Sequence, residues 1–265
     1  MMTLHTLASG SEGNCLLISG GGTHILVDAG ISARRIKTSL AQLGLRIEDI
    51  SAILLTHEHS DHTCALATLI KHHATPLYAS RGTASQLCYR LAGIERQLRV
   101  VERSGTFAVG ACRVTVFPTS HDSRESVDYR VDCPDGSIGI LTDTGYVTDE
   151  AADALTGVEL LVLESNHDVD WLRSGPYPYY LKERILSLQG HLSNEDAARF
   201  AVMMAQRGTR QIVLAHLSRE NNTPERALET VECALRAAEL GTFVTVAPRG
   251  ELSRCFELEG EACRK

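Results

Sequence analysis

The sequence predicts an α/β fold in which β-sheets carry helices on their outer faces. Three observations carry that expectation. Short runs rich in Ile, Val and Leu recur between segments of helical periodicity. Some runs follow one another closely enough to pair as hairpins, whereas others are separated by a helical segment, and such crossovers place helices outside a sheet. Finally, the 265 residues are 43% apolar and 22% charged, enough to bury a substantial core. That length suits one α/β sandwich or barrel, so a single domain over residues 1–265 is expected.

Taken in order, "TLHTLAS" (3–9), "NCLLIS" (14–19), "THILVDAG" (23–30), "ISAILLTH" (50–57) and "TPLYAS" (75–80) read as strands. "SARRIKTSLAQLG" (32–44) and "HTCALATLIKHHA" (62–74) read as helices. "CRVTVFPTSH" (112–121), "SVDYRVDC" (126–133), "SIGILTDTG" (137–145) and "ELLVLESNH" (159–167) continue the strands. Then helix, strand, helix and strand alternate in "NEDAARFAVMMAQRG" (194–208), "RQIVLAHLS" (210–218), "TPERALETVECALRAAELG" (223–241) and "FVTVAPRG" (243–250). Ser193 or Asn194 caps the first of these helices, Pro224 opens the second, and Gly208 and Gly241 follow their ends. Residues 168–193 are the least regular, with two prolines, two glycines, three tyrosines and the single tryptophan. They read as a functional loop. The rings of "YPYY" can stack bases or pack the loop onto the body. Packing, with one ring exposed, is the expected arrangement.

No stretch approaches the roughly 18 apolar residues of a membrane span, and "MMTLHTLASG" lacks a basic region followed by an apolar one. A cytoplasmic protein without a membrane partner is expected. Cys15, Cys64, Cys88, Cys112, Cys133, Cys233, Cys255 and Cys263 are scattered without a CxxC pair, which predicts reduced, mostly buried thiols. A formal net charge of −7 argues against broad adhesion to nucleic acid, which needs Lys and Arg to neutralise many phosphates. A phosphodiester substrate stays open, because a metal centre concentrates positive charge that net charge does not reveal.

"THEHSDH" places His57, His59, Asp61 and His62 directly after an apolar run. With the strand ending at Thr56, His57 and His59 fall on one side of an extended segment, and Asp61 and His62 open the next helix. Two histidines can then address one metal while the aspartate and third histidine address another. A single four-coordinate zinc would need fewer local ligands. Later runs end the same way, at His121 in "VTVFPTSH", Asp143 in "SIGILTD" and His216 in "QIVLAH". A rigid sheet fixes such side chains while loops admit substrate. His5, His24, His72 and His73 read as surface or hydrogen-bonded histidines, and Asp143 alone also fits the turn chemistry of "TDTG".

These residues resemble the metallo-β-lactamase superfamily. "THEHSDH" matches its HxHxDH signature, and His121, Asp143 and His216 match its further motifs in order. The resemblance covers essentially the whole chain and implies an αββα four-layer sandwich with a dimetal site at one edge of the sheets. It implies that His57, His59 and His121 hold one divalent ion, Asp61, His62 and His216 the other, with Asp143 bridging. All seven donors are nitrogen or oxygen, so Zn, Mn and Fe are compatible. The β-lactamases themselves commonly have a cysteine where this chain has Asp143, which argues against antibiotic hydrolysis. Glyoxalase II enzymes share HxHxDH and the bridging Asp. "QGHLSNEDAARFA" and "QIVLAHLSRENNTPE" are similar instead to nuclease-type members related to ribonuclease Z. "LASGSEGNCLLI", "LVLESNHD", "GPYPYYLKERI", "GHLSN" and "HLSRENN" resemble the stand-alone YycJ/WalJ-type branch, which implies a 5′-exonuclease acting on DNA. The interval from Asp143 to His191 is too short for the cap domain of β-CASP nucleases, and no Gly/Pro-rich arm like that of ribonuclease Z is present. A tRNA-processing role is therefore disfavoured.

The resemblance makes Asp61 both ligand and orienter of the attacking water. His191 either steadies phosphoryl oxygens and donates a proton to the leaving oxygen, or caps its own turn. "SGSEGN" is either a site-lining turn, with Ser9, Ser11 and Asn14 as substrate contacts, or a plain hairpin. Asn166 and His167 of "ESNHD" are further candidate contacts, and His167 fits a structural role equally. The leading expectation is a metal-dependent phosphodiesterase, a DNA exonuclease, with no protein partner indicated. The alternative is a small-molecule hydrolase of thioesters, lactones or cyclic phosphodiesters, which the acidic charge and missing cap favour. A non-catalytic metal-stabilised module is disfavoured, because structural zinc sites close with four ligands.

Overall fold

The structure, a computed structural model, describes residues 1–258. In chain order the elements are β1 (Met2–Ala8), β2 (Cys15–Gly20), β3 (Thr23–Val27), α1 (Ala33–Gln42), β4 (Ala52–Leu54), α2 (Ser60–Thr63) and α3 (Leu66–His72). There follow β5 (Leu77–Ser80), α4 (Arg81–Arg90), β6 (Leu98–Val101), β7 (Gly105–Val109), β8 (Cys112–Pro118), β9 (Val127–Cys133) and β10 (Gly136–Leu141). The remainder comprises α5 (Asp149–Leu155), β11 (Leu160–Glu164), α6 (Val169–Ser174), α7 (Tyr179–Leu186), α8 (Asn194–Gln206), β12 (Gln211–Ala215), α9 (Pro224–Ala237), β13 (Phe243–Val246) and β14 (Phe256–Leu258).

One sheet runs β14-β1-β2-β3-β4-β5-β6 and the other β13-β12-β11-β10-β9-β8-β7. Each is antiparallel in one half and parallel in the other, the parallel halves being β3 to β6 and β10 to β13. Alternation along the strands builds the layers. On β4, Ala52 and Leu54 face the second sheet, whereas Ile53 and the following Leu55 face helices. Between the sheets, Ile18, Ile25 and Leu54 pack in one core with Tyr129, Val131, Ile140 and Val162. A second core lies under α1, α3 and α4, with Ile36, Leu40, Leu69 and Leu87 on Leu17 and Leu26. A third lies under α5, α8 and α9, with Leu155, Met204 and Val231 against Leu161 and Leu214. The result is the expected four-layer αββα sandwich.

The sheets are also joined by hydrogen bonds at one end. The buried Tyr129 hydroxyl of β9 donates to the Leu55 carbonyl at 2.7 Å, and Val127 N donates to the Thr56 carbonyl at 3.1 Å. Both ties fall just before His57.

Two expectations are corrected. Residues 168–193 hold α6 and α7 rather than a loop, because their glycines and prolines lie at helix boundaries. Asp168 caps α6 by accepting from Trp171 N, and Pro178 caps α7. Of the "YPYY" rings, Tyr179 and Tyr180 are both exposed while Tyr177 is half-buried. The cysteines also depart from expectation. Cys112 and Cys133 form a disulfide, because antiparallel β8 and β9 bring the start of one strand beside the end of the other, a proximity that spacing along the chain hides. Cys64, Cys88, Cys233 and Cys255 are exposed thiols, Cys15 is buried, and Cys263 lies outside the described residues. Among the described residues no helix is long and apolar enough to cross a membrane.

Replacing Tyr129 with Phe strands the buried Leu55 carbonyl and is expected to lower unfolding free energy by about 1–2 kcal/mol. A urea midpoint shifted at constant slope would record that loss, and an unshifted midpoint would contradict it.

Candidate metal centre

Strands of both parallel halves end at one edge of the sandwich, the position where open α/β sheets bind ligands. Asp28 follows β3, Thr56 and His57 follow β4, Asp143 follows β10, Glu164 ends β11 and His216 follows β12. Asp28, Asp143 and His216 have left-handed backbones, with φ of 61°, 50° and 55°. Each costs about 1–2 kcal/mol in a residue with a Cβ, so the surroundings must hold them. Ser9 does so for His216, its Oγ accepting from His216 N at 2.8 Å.

The histidines, Asp61 and Asp143 converge. His57, His59 and His121 form one set whose candidate ligand atoms lie within 4.8 Å of one another, and Asp61, His62 and His216 form a second. Asp143 stands between them, 3.2 Å from His62 Nε2, 3.5 Å from His216 Nε2 and 3.7 Å from His121 Nε2. The remaining ring nitrogens are anchored from behind. His62 Nδ1 donates to Asp28 at 2.7 Å, His216 Nδ1 to Glu164 at 2.9 Å, and His121 Nδ1 to the Gly190 carbonyl at 3.2 Å. Thr56 Oγ1 donates to Asp28 and therefore accepts from His57 Nδ1 at 3.0 Å. These partners fix the tautomers and leave Nε2 of all four rings facing the centre. Glu58 is buried and faces away, accepting from Arg124 N at 2.8 Å, which pins the histidine segment to the loop after His121.

Asp28 and Glu164 escaped the sequence reading. Glu164 accepts from both His191 Nδ1 (2.7 Å) and His216 Nδ1, and from Thr144 N and Leu192 N. The signal was present, because "THILVD" and "LLVLE" are also apolar runs ending at one metal-competent side chain.

Burial alone would raise Asp143, but the charges of His216 and His62 outweigh it and hold its carboxyl well below the usual range. Burial would likewise lower His62, yet Asp143 and Asp28 push it well above the ordinary imidazole value. Against burial, Asp143, Asp61 and Glu164 raise His216 to about 10. Burial, reinforced by His62, lowers His57. Glu164 is brought to about 2, the raising effect of burial being overcome by His191 and His216. Two central atoms, Asp143 Oδ2 and His216 Nε2, are buried without a hydrogen-bond partner. A divalent cation would satisfy both, and the donor set fits one.

A cavity of about 250 Å³ opens over the cluster, lined in part by Ser11, His59, Asp61, Asn166 and His191. Asn14 lies beneath, its Nδ2 3.1 Å from His62 Nε2. Asn166 Nδ2 donates to the His216 carbonyl at 2.8 Å. Ser9 and His167 do not line the cavity. Ser9 is occupied with the His216 backbone, and His167 is buried with both ring nitrogens unpartnered and lowered to about 4 by burial. His24 and His73 bond Ser19 and Glu48, as expected for structural histidines.

Comparison with known proteins agrees with this geometry. Residues 23–217 match the beta-lactamase superfamily domain. Exodeoxyribonuclease WalJ of Streptococcus pneumoniae is 40% identical over 90% of each chain. Exodeoxyribonuclease YycJ of Bacillus anthracis is 38% identical over 91% of this chain and 92% of its own. The metallo-beta-lactamase fold protein YhfI of Bacillus subtilis superposes with a TM-score of 0.71 at 17% identity, over 95% of this chain and 98% of its own.

Two outcomes follow. Glu164→Gln loosens two imidazoles and is expected to weaken zinc affinity by about 10–100-fold, read by chelator competition; unchanged affinity would contradict the positioning role. In protein stripped of metal, His216 keeps its proton up to a pH of about 10, so an incoming ion must expel it and affinity must rise with pH across the neutral range. Calorimetry in buffers of different ionisation enthalpy should detect proton release, and a pH-independent affinity would refute it.

Proposed function

Because the chain belongs to the beta-lactamase superfamily, we propose that it is a metal-dependent phosphodiesterase that removes nucleotides from the 5′ end of DNA. The observation that carries this reading is the convergence of seven nitrogen and oxygen donors from both sheets on one buried centre. The full-length similarity to two exodeoxyribonucleases supports the substrate class. His57, His59 and His121 would hold one ion, Asp61, His62 and His216 a second, and Asp143 would lie between them, with Zn or Mn best suited and Fe compatible.

Ions bound there supply positive charge that acidifies water and offsets charge on a phosphoryl group in transfer. The chain supplies position and protons. Asp61, with a quarter of its side chain open to the cavity, accepts a hydrogen bond from the attacking water and aims it. Glu164 takes the Nδ1 proton of His191 in a 2.7 Å hydrogen bond, which leaves His191 Nε2, on the cavity wall, to face the leaving oxygen. Water adds to phosphorus, the bond from phosphorus to O3′ breaks, and O3′ takes a proton, for which His191 is the placed donor. The shortened strand keeps the new 5′-phosphate. Asn14 and Asn166 act indirectly, through His62 and the His216 backbone.

The test is mononucleotide release from 5′-phosphorylated single- and double-stranded DNA with Mn or Zn added. Wild type should release mononucleotides progressively, and Asp61→Ala should be slower by at least about 100-fold. Absence of release, together with turnover of a small ester or cyclic phosphodiester, would reject the nuclease reading.

A further inference from the structure

We propose that α7 and the preceding Tyr177 form a receiving pocket for one 5′-phosphorylated terminal nucleotide, with Arg184 on its terminal phosphate and Tyr177, Leu181 and Ile185 against sugar and base. The proposal rests on the nuclease reading above. Leu181, Arg184 and Ile185 are spaced to share one helix face, and with Tyr177 they form the cavity wall across from His59, Asp61, Asp143 and His216. At about 250 Å³ the cavity is just below the range of about 300–1,000 Å³ typical of small-ligand sites. One nucleotide unit matches that scale, whereas a duplex does not.

Arg184 is held by one edge only. Its Nε donates to Asp122 Oδ2 at 2.5 Å, and Asp122 follows the proposed ligand His121. More than half of the Arg184 side chain is exposed, and among the described residues its two Nη groups make no hydrogen bond to protein. A guanidinium fixed along one edge with the other edge open to a cavity suits two-point binding of a phosphate. Beside it, the half-buried Tyr177, Leu181 and Ile185 offer a ring and two aliphatic groups to a base, a contact indifferent to sequence.

The wall is built to stay in place. No residue of α7 is buried in the core, yet both flanks are tied. Lys182 Nζ donates to the Arg173 and Gly175 carbonyls at 2.7 Å each. Beyond the helix, Ser120 Oγ donates to the Leu188 carbonyl at 2.7 Å and Asp122 N to the Gln189 carbonyl at 3.1 Å. Gly145 lets that segment approach, since a Cβ there would lie 2.4 Å from the Leu188 carbonyl. The chemistry adds a reason for such a pocket. Breaking the bond to O3′ leaves a 5′-phosphate on the remaining strand, so every cut makes the end that Arg184 would receive next.

The experiment compares kcat/KM for release of the first nucleotide from one oligonucleotide bearing either a 5′-phosphate or a 5′-hydroxyl, in wild type, Arg184→Gln and Tyr177→Ala. Only the first release is informative, because later ends are all phosphorylated. Wild type is expected to favour the phosphorylated end by about tenfold or more, and Arg184→Gln to bring the ratio close to one, as loss of a charge-assisted fork predicts. The ratio does not depend on how much of a variant is folded. Tyr177→Ala should raise KM by about tenfold for both ends through lost stacking. A wild-type ratio near one, an unaltered ratio in Arg184→Gln, or an equal loss on both ends would overturn the pocket while leaving the nuclease reading intact. Failure of wild type to release nucleotides from either oligonucleotide would overturn both.

Discussion

Asp143 carries a charge at 3% exposure where the two sheets meet, and the rest of the site is organised around answering it. An unpaired buried carboxylate would cost several kcal/mol. Four imidazoles, from His57, His62, His121 and His216, turn toward the same point from both sheets. Each is steadied from behind, by Asp28, Glu164, Thr56 or a carbonyl. The supporting groups matter as much as the facing ones, because an imidazole with one nitrogen engaged has only the other to present.

The same demand explains where the fold tolerates strain. Three of its left-handed non-glycine residues, Asp28, Asp143 and His216, sit at strand ends within this cluster, because a strand that stops by turning sharply aims a side chain across the sheet edge. The sheets are held together beside them by Tyr129 and Val127, so ligands from the two halves keep their spacing. Even so, Asp143 Oδ2 and His216 Nε2 lack partners, and protons on His62 and His216 are a poor substitute for cations. A protein so arranged gains both a filled centre and a reactive one when divalent ions are present.

Much of this was legible in the sequence, because strand ends concentrate function and a β-rich run closing on one histidine or carboxylate is easy to see. His57, His59, Asp61, His62, His121, Asp143 and His216 all stood out this way, and the structure brings them together. Asp28 and Glu164 obeyed the same rule but were passed over, since a lone carboxylate after a strand also suits a turn. Arg184 and Tyr177 carried no periodic or spacing signal toward the centre. Their placement depends on α7 folding back over the sheet edge, which long-range ties to Ser120 and Asp122 decide. The Cys112–Cys133 pair was hidden for a related reason: register between β8 and β9, rather than spacing along the chain, brings the two together. Ser9 and Asn14 were rightly drawn toward the site, but they touch His216 and His62 and leave the cavity wall to Ser11.

The central claim is that two cations share this centre around Asp143. The most direct measurement is anomalous diffraction from crystals soaked in manganese and in zinc, recorded on either side of each absorption edge. The expected result is two peaks separated by about 3.5–4 Å, one within reach of His57, His59 and His121, the other within reach of Asp61, His62 and His216. A single peak, or peaks away from Asp143, would contradict it.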